Sequence, residues 1–140
     1  MVARFQAARQ QEDKGFTLVE LLVVIVIIGI LAAIAIPLFL NQREKGWKAQ
    51  VESDLKNAAI AAETYAVDNN GSYEGLGTDE LEDNGFKGTD QVDVEVAEGA
   101  DEKGFVLTGK HDSLDEILTY DSNDGGLQDW AESGGSGDDG

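Results

Sequence analysis

Between Phe16 and Leu40 the chain carries one ionisable group, Glu20, in 25 residues. That run constrains the fold more than any other feature. Leu21 to Leu40 is uncharged for 20 residues, and as a helix rising about 1.5 Å per residue it spans about 30 Å, the thickness of a bilayer core. The expectation is a membrane-spanning helix over residues 16–40. A carboxylate at mid-membrane costs about 2.5–3.5 kcal/mol and less near the interface, so Glu20 must either reach the headgroups or meet a cation.

The charges are unevenly placed. Residues 1–15 hold Arg4, Arg9 and Lys14 against Glu12 and Asp13, whereas residues 41–140 hold seven Lys and Arg against 25 Asp and Glu. Orientation follows the Lys/Arg bias beside the span, so the expected topology is a single pass with the N-terminus in the cytoplasm and the acidic part outside. Phosphates would be repelled by that acidic part, which argues against direct nucleic-acid binding. About 100 residues remain for water, enough for one small domain. With no cysteine in the chain, that domain must hold together by packing or by a metal.

A secretory signal places basic residues, a short apolar region and then a small-residue cleavage site in that order. Here Lys14 and Gly15 precede a much longer apolar run, so a cut behind Gly15 leaves the helix on the mature chain. The order indicates a leader, residues 1–15, removed from the cytoplasmic side.

The segment Lys14-Gly15-Phe16-Thr17-Leu18-Val19-Glu20-Leu21-Leu22-Val23-Val24-Ile25 resembles the class III signal of type IV pilins and type II secretion pseudopilins. The resemblance is specific over residues 14–45 and loose beyond Tyr73. It implies that a prepilin peptidase cuts after Gly15 and methylates the new amine of Phe16. It also implies that Glu20 of an incoming subunit neutralises the Phe16 amine of a neighbour during assembly. Phe16 and Glu20 are an i, i+4 pair, on one helical face, and two unpaired charges in apolar surroundings would be expensive. Gly29 and Pro37 match helix-loosening positions of the family. Glycine is about 1 kcal/mol worse than alanine in a helix and proline removes a backbone donor, so residues 29–37 are a weak stretch.

Beyond the span, Trp47, Val51, Leu55, Ala58, Ala59, Ala62, Tyr65 and Ala66 follow steps of three and four, an amphipathic helix over residues 41–70. One long helix from Phe16 to Asn69 is expected, ended by Asn69-Asn70-Gly71. Trp47 fits either the headgroup boundary or the head. Residues 71–91 read as a glycine-rich acidic loop with one helical turn at Asp79 to Asp83. Val92, Val94 and Val96 alternate with Asp93 and Glu95 as a half-buried strand, and Phe105 to Gly109 and Ile117 to Tyr120 are two more. The fold class is α+β: a long N-terminal helix packed on a three-stranded antiparallel meander within residues 71–132, with a disordered tail at 133–140. Lacking a disulfide, the C-terminal region from Gly109 to Trp130 must be held by Leu114, Leu118, Leu127 and Trp130.

Other sites are weaker. Asp121, Asn123 and Asp124 offer oxygen ligands where the resemblance implies a calcium loop in some pseudopilins, but the spacing does not match an EF-hand and the same residues suit a tight turn. Asn70-Gly71-Ser72 fits a glycosylation sequon, although the helix stop accounts for Asn70 and Gly71. His111 is the only histidine, which leaves no Ser/His/Asp or Cys/His set and no zinc cluster; it reads as a turn residue. The chain is expected to catalyse nothing and to need no cofactor, calcium apart.

The resemblance implies a prepilin whose partners are prepilin peptidase, further copies of itself, membrane lipid before assembly, and an assembly ATPase with its inner-membrane platform. The mature chain would move from the cytoplasmic membrane to an extracellular filament. The alternative is a pseudopilin of a type II secretion or DNA-uptake machine. A third reading, a binding module anchored by an uncut leader, would keep residues 1–15. Glu12 and Asp13 stand close to the cut, where they are expected to slow the peptidase.

Overall fold

In the computed structural model the described residues are 15–97 and 100–134. The leader before Gly15 and most of the tail expected to be disordered lie outside them. Two compact units divide near residue 41. Helix α1, Leu18–Asp68, is continuous through Gly29, Pro37 and Gly46. In the first unit every large apolar side chain from Phe16 to Leu40 is exposed. By length and composition this part of α1 can cross a membrane.

The second unit is built on the rest of α1. Val51, Leu55, Ala58, Ala61, Ala62 and Ala66 are buried, the face that steps of three and four predict. Short alanines let the backbone of α1 lie close to its partners. The helix ends where expected: Asn70 and Gly71 have φ of 59° and 82°, and the Gly71 N–H donates to the Ala66 carbonyl at 2.7 Å. That six-to-one bond and the left-handed Asn70 form a Schellman stop. Helix α2, Thr78–Asp83, is the helical turn expected in the long loop, and it buries Leu81.

Strands β1 (Val92–Val96), β2 (Val106–His111) and β3 (Glu116–Asp121) form the antiparallel meander. Two further pairs, β4 (Gly126–Leu127) and β5 (Ala131–Glu132), both bond to β3, so the sheet has five strands where the sequence indicates three. Two-residue strands carry no alternation to detect; pairing with β3 defines them. Val94, Gly109 and Leu118 lie in register across β1, β2 and β3. Gly109 sits at the closest approach of sheet and helix: a Cβ there would lie 2.9 Å from Val51 and 3.0 Å from Leu55.

Polar contacts close this unit in place of a disulfide. Asp54 is buried on α1, and its carboxylate accepts the Thr89 N–H at 2.7 Å and the Thr89 hydroxyl at 2.8 Å. This joins α1 to the loop before β1. The Lys48 ammonium bonds Glu116 of β3 at 2.6 Å and Glu44 at 3.4 Å and lies 5.1 Å from the centre of the Trp130 ring. Leu114 and Leu118 are buried, with Leu127 and Trp130 packed on the core. Trp47 stacks on His111 at 5.4 Å, which settles it on the head. His111 itself is not a turn residue: it ends β2, is buried, and accepts the Ser113 N–H on Nδ1.

Tyr73, Phe105 and Tyr120 form an aromatic row, with centroids 4.9 and 5.9 Å apart. The Tyr73 hydroxyl donates to Glu63 at 3.1 Å. Partial burial, then the adjacent Glu63 carboxylate, raises the Tyr73 phenol above its ordinary 10.0. A raised acid binds its proton more tightly when folded, so this contribution is complete below the unfolded value and is lost as pH rises through the folded one. Lys48, raised chiefly by its bond to Glu116, acts in the same direction. Melting of the detergent-solubilised protein is therefore expected to fall with alkaline pH, and Tyr73→Phe is expected to flatten that fall. Gly109→Ala should destabilise by about 1–3 kcal/mol through overpacking, measured by denaturant unfolding followed at the tryptophans.

Candidate functional site: the N-terminal helix start

Gly15, Phe16 and Thr17 precede α1 and are neither helix nor strand. All three are exposed, Phe16 to 89%. The Gly15–Phe16 bond therefore lies in irregular chain directly before a helix, where a peptidase can extend the backbone without unwinding anything.

The helix start is formed by a reciprocal pair. The Glu20 carboxylate accepts the Thr17 N–H at 3.1 Å, and the Thr17 hydroxyl accepts the Glu20 N–H at 3.2 Å. Thr17 is the N-cap and Glu20 the third helical residue, which is a capping box. The carboxylate also lies at the positive end of the helix dipole. Among the described residues, then, Glu20 is capped by Thr17 and meets no cation. One amide leaves the carboxylate with further acceptor capacity. Thr17-x-x-Glu20 before an apolar run is a helix-start signature readable in the sequence, yet only Glu20 is evident from the apolar run itself.

Gly29 and Pro37 lie within α1, away from this cluster, and the helix continues past both. Proline cannot donate to the carbonyl four residues back, so one rung of the ladder is absent there. Asp121, Asn123 and Asp124 stand at the end of β3. Asp121 Oδ1 accepts the Asn123 N–H at 2.9 Å, and the Asp124 N–H approaches the Asp121 carbonyl at 3.3 Å. Asn123 packs against Gly104, and Gln128 Nε2 donates to the carbonyls of Asp124 and Gly126. These are the bonds of a tight turn. Among the described residues no three His, Cys, Asp or Glu gather as a metal cluster. Asn70 is exposed at the helix stop.

Comparison with known proteins bears on the same segment. Residues 11–36 match the family described as the prokaryotic N-terminal methylation motif. The chain is 41% identical over 61 residues to the type II secretion system core protein G of Klebsiella michiganensis, covering 44% of this chain and 43% of that protein. It is 41% identical over 58 residues to the protein of the same description in Escherichia coli, covering 41% and 40%. It is 49% identical over 57 residues to the type IV wide pilus major component of Thermus thermophilus, covering 41% and 44%. The match thus spans less than half the length of each relative.

Thr17→Val should remove the cap and cost about 1 kcal/mol at the helix start. Faster amide exchange over Leu18 to Leu21 in micelles is the expected result, with the head unchanged. The methylation motif, the long apolar helix that it opens and the small antiparallel sheet beyond together make the chain similar to type IV pilins and type II secretion pseudopilins.

Proposed function

We propose that the chain is a prepilin: cut after Gly15 by a prepilin peptidase, N-methylated at Phe16, held in the cytoplasmic membrane with its head outside, and polymerised into a type IV pilus. The observation that carries this reading is the methylation motif over residues 11–36 opening a continuous helix whose first half is apolar except for Glu20. Assembly would bury the Phe16 to Leu40 surface among copies, and because lipid tails are as apolar as these side chains, close van der Waals packing and not transfer out of water would favour it. Packing of this kind has no preferred register. The pair formed by Glu20 and a neighbour's Phe16 amine supplies one, because only one axial offset leaves neither charge alone. The Thr17 cap holds the carboxylate at the helix end until that neighbour arrives. An assembly ATPase and its membrane platform would supply the work of extraction, and the chain itself catalyses no reaction.

The second reading is a pseudopilin of a type II secretion or DNA-uptake machine, favoured by the relatives described as type II secretion core protein G. It shares the precursor chemistry and differs in what the filament does. Long surface fibres built of this chain favour the pilus, whereas loss of protein export on deletion, without surface fibres, favours the pseudopilin.

The mature protein is expected to begin at Phe16 with one added methyl group, read by intact and N-terminal mass spectrometry. A chain still carrying residues 1–15 would contradict both readings. Glu20→Val should insert in the membrane and assemble poorly; normal fibres from it would remove the role given to Glu20. The acidic heads repel at low salt, so fibre yield and bundling should rise with ionic strength as the Debye length falls from about 30 Å at 0.01 M to about 10 Å at 0.1 M.

A further inference from the structure

Strand β1 stands at one end of the sheet order, so one of its long sides has no strand beside it. The phase of the ladder decides which groups face that side. The Asp112 N–H donates to the Gln91 carbonyl and the Ala97 N–H to the Val106 carbonyl. Asp93 and Glu95, between Gln91 and Ala97 at steps of two, therefore spend their backbone groups on β2, while Val92, Val94 and Val96 turn theirs away from it. The Val92 N–H accordingly donates to the Thr89 carbonyl. A sheet edge of this kind accepts a further strand unless something covers it.

Helix α2 is the cover. It packs on β1, and Leu81 and Phe86 enter the same core cluster as Val92 and Val94. Val94 is 7% exposed although its outward N–H has no backbone acceptor among the described residues. Opening the cover would return that amide to water, which offsets part of the apolar loss.

Little holds α2 in place. Six residues are too few for a helix to stand alone, and its N-cap, Gly77, makes no side-chain bond. Its stop is firm: Gly85 has φ of 99°, and the Phe86 N–H donates to the Leu81 carbonyl at 3.0 Å, so Leu81 and Phe86 form one anchor. Charge opposes closure. Asp79 with Glu82, Asp79 with Asp83 and Glu80 with Asp83 are like-charge neighbours three or four residues apart, and no basic residue lies in the last turn. From Glu74 to Asp90 six acids stand against one base, Lys87. Asp79, Glu82 and Asp83 are exposed, where salt screens repulsion.

Both ends of the segment are tied down. Before it, the Tyr65 hydroxyl donates to the Glu74 carbonyl and the Tyr73 N–H to the Asp101 carbonyl; behind it, Thr89 is bonded twice to Asp54. We infer that residues 75–88 are a salt-operated lid on the β1 edge: closed while the α2 carboxylates are screened, and opening locally, with Leu81 and Phe86 leaving the core, as ionic strength falls. Gly75, at φ of 82°, and Gly85 are the pivots. The device belongs to a single chain and does not depend on assembly.

Native-state amide exchange of the full chain in non-ionic micelles tests it, each rate being referred to that of the same amide in the urea-unfolded chain at the same salt. From 1 M to 0.01 M sodium chloride the Debye length grows from about 3 Å to about 30 Å. Exchange at Phe86 and Val94 is expected to quicken about threefold to tenfold over that range, the sum of three like-charge pairs, while Leu107 and Leu118 hold steady. Glu82→Lys with Asp83→Lys sets cations three and four residues behind Asp79, and should slow exchange at Phe86 and Val94 and remove its salt dependence. Leu81→Ala should quicken Phe86 and Val94 at both salts with Leu107 unchanged. Lid amides that exchange no faster than Leu107 and Leu118 would mean that α2 opens only with the whole head. Opening that is equal at both salts, or core amides that quicken as much as Val94, would mean that salt does not act on the lid. Either result overturns the inference.

Discussion

A carboxylate in hydrocarbon needs a partner, and the account of this protein depends on where Glu20 finds one. Within one chain the partner is its own helix: the Thr17 N–H and the dipole of α1. These would reduce the cost of Glu20 in apolar surroundings, and they hold the carboxylate at the first turn. A cap formed by one amide satisfies a carboxylate only in part. The unfilled capacity makes a second, charged partner valuable, and the proposed removal of the leader after Gly15 would create a cation at Phe16, just before α1, on every copy. In the proposed assembly the long apolar surface would supply adhesion without direction, and the charge direction with little area. Either alone would give aggregates or monomers.

The head answers a different problem, that of a small acidic domain without cysteine. Its core is thin, mostly alanine on the helix side and single Val, Leu or Phe residues on the sheet side. The missing side chain of Gly109 lets Val51 and Leu55 reach the sheet. The edges are then tied by polar contacts between distant parts of the chain: Asp54 to Thr89, and Lys48 to Glu116 beneath Trp130. Each tie starts on α1, so the helix both carries the apolar run and organises the domain after it. Such ties are satisfied hydrogen bonds and ion pairs of modest individual worth. They specify which loop and which strand lie against the helix more than they add to stability.

Much of this was legible in the sequence because the signals are periodic or punctuated. The apolar run, the amphipathic half of α1, the Asn-Gly stop and the alternating β1 follow from spacing alone, and the methylation motif from one short segment. Strands β4 and β5 were not legible, since two residues cannot alternate and their existence depends on the edge of β3. Asp54 was not legible either: a charged residue among alanines at helical spacing reads as solvated, and only the fold brings the Thr89 backbone to it. His111 looked like a turn residue beside Asp112 and Ser113, yet its place under Trp47 depends on a contact across more than sixty residues of chain. The Thr17-x-x-Glu20 box was present in plain letters but masked by the membrane signal that contains it.

The central claim is that the Glu20 carboxylate meets the Phe16 amine of another copy. The most direct measurement is a magnetisation-transfer experiment on fibres grown from a mixture of two preparations, one with nitrogen-15 in phenylalanine and one with carbon-13 in glutamate. A cross-peak between the terminal amine nitrogen and the Glu20 carboxyl carbon, seen only in mixed fibres, is the predicted result. Its absence, in fibres whose mature chains begin at Phe16, would contradict the account.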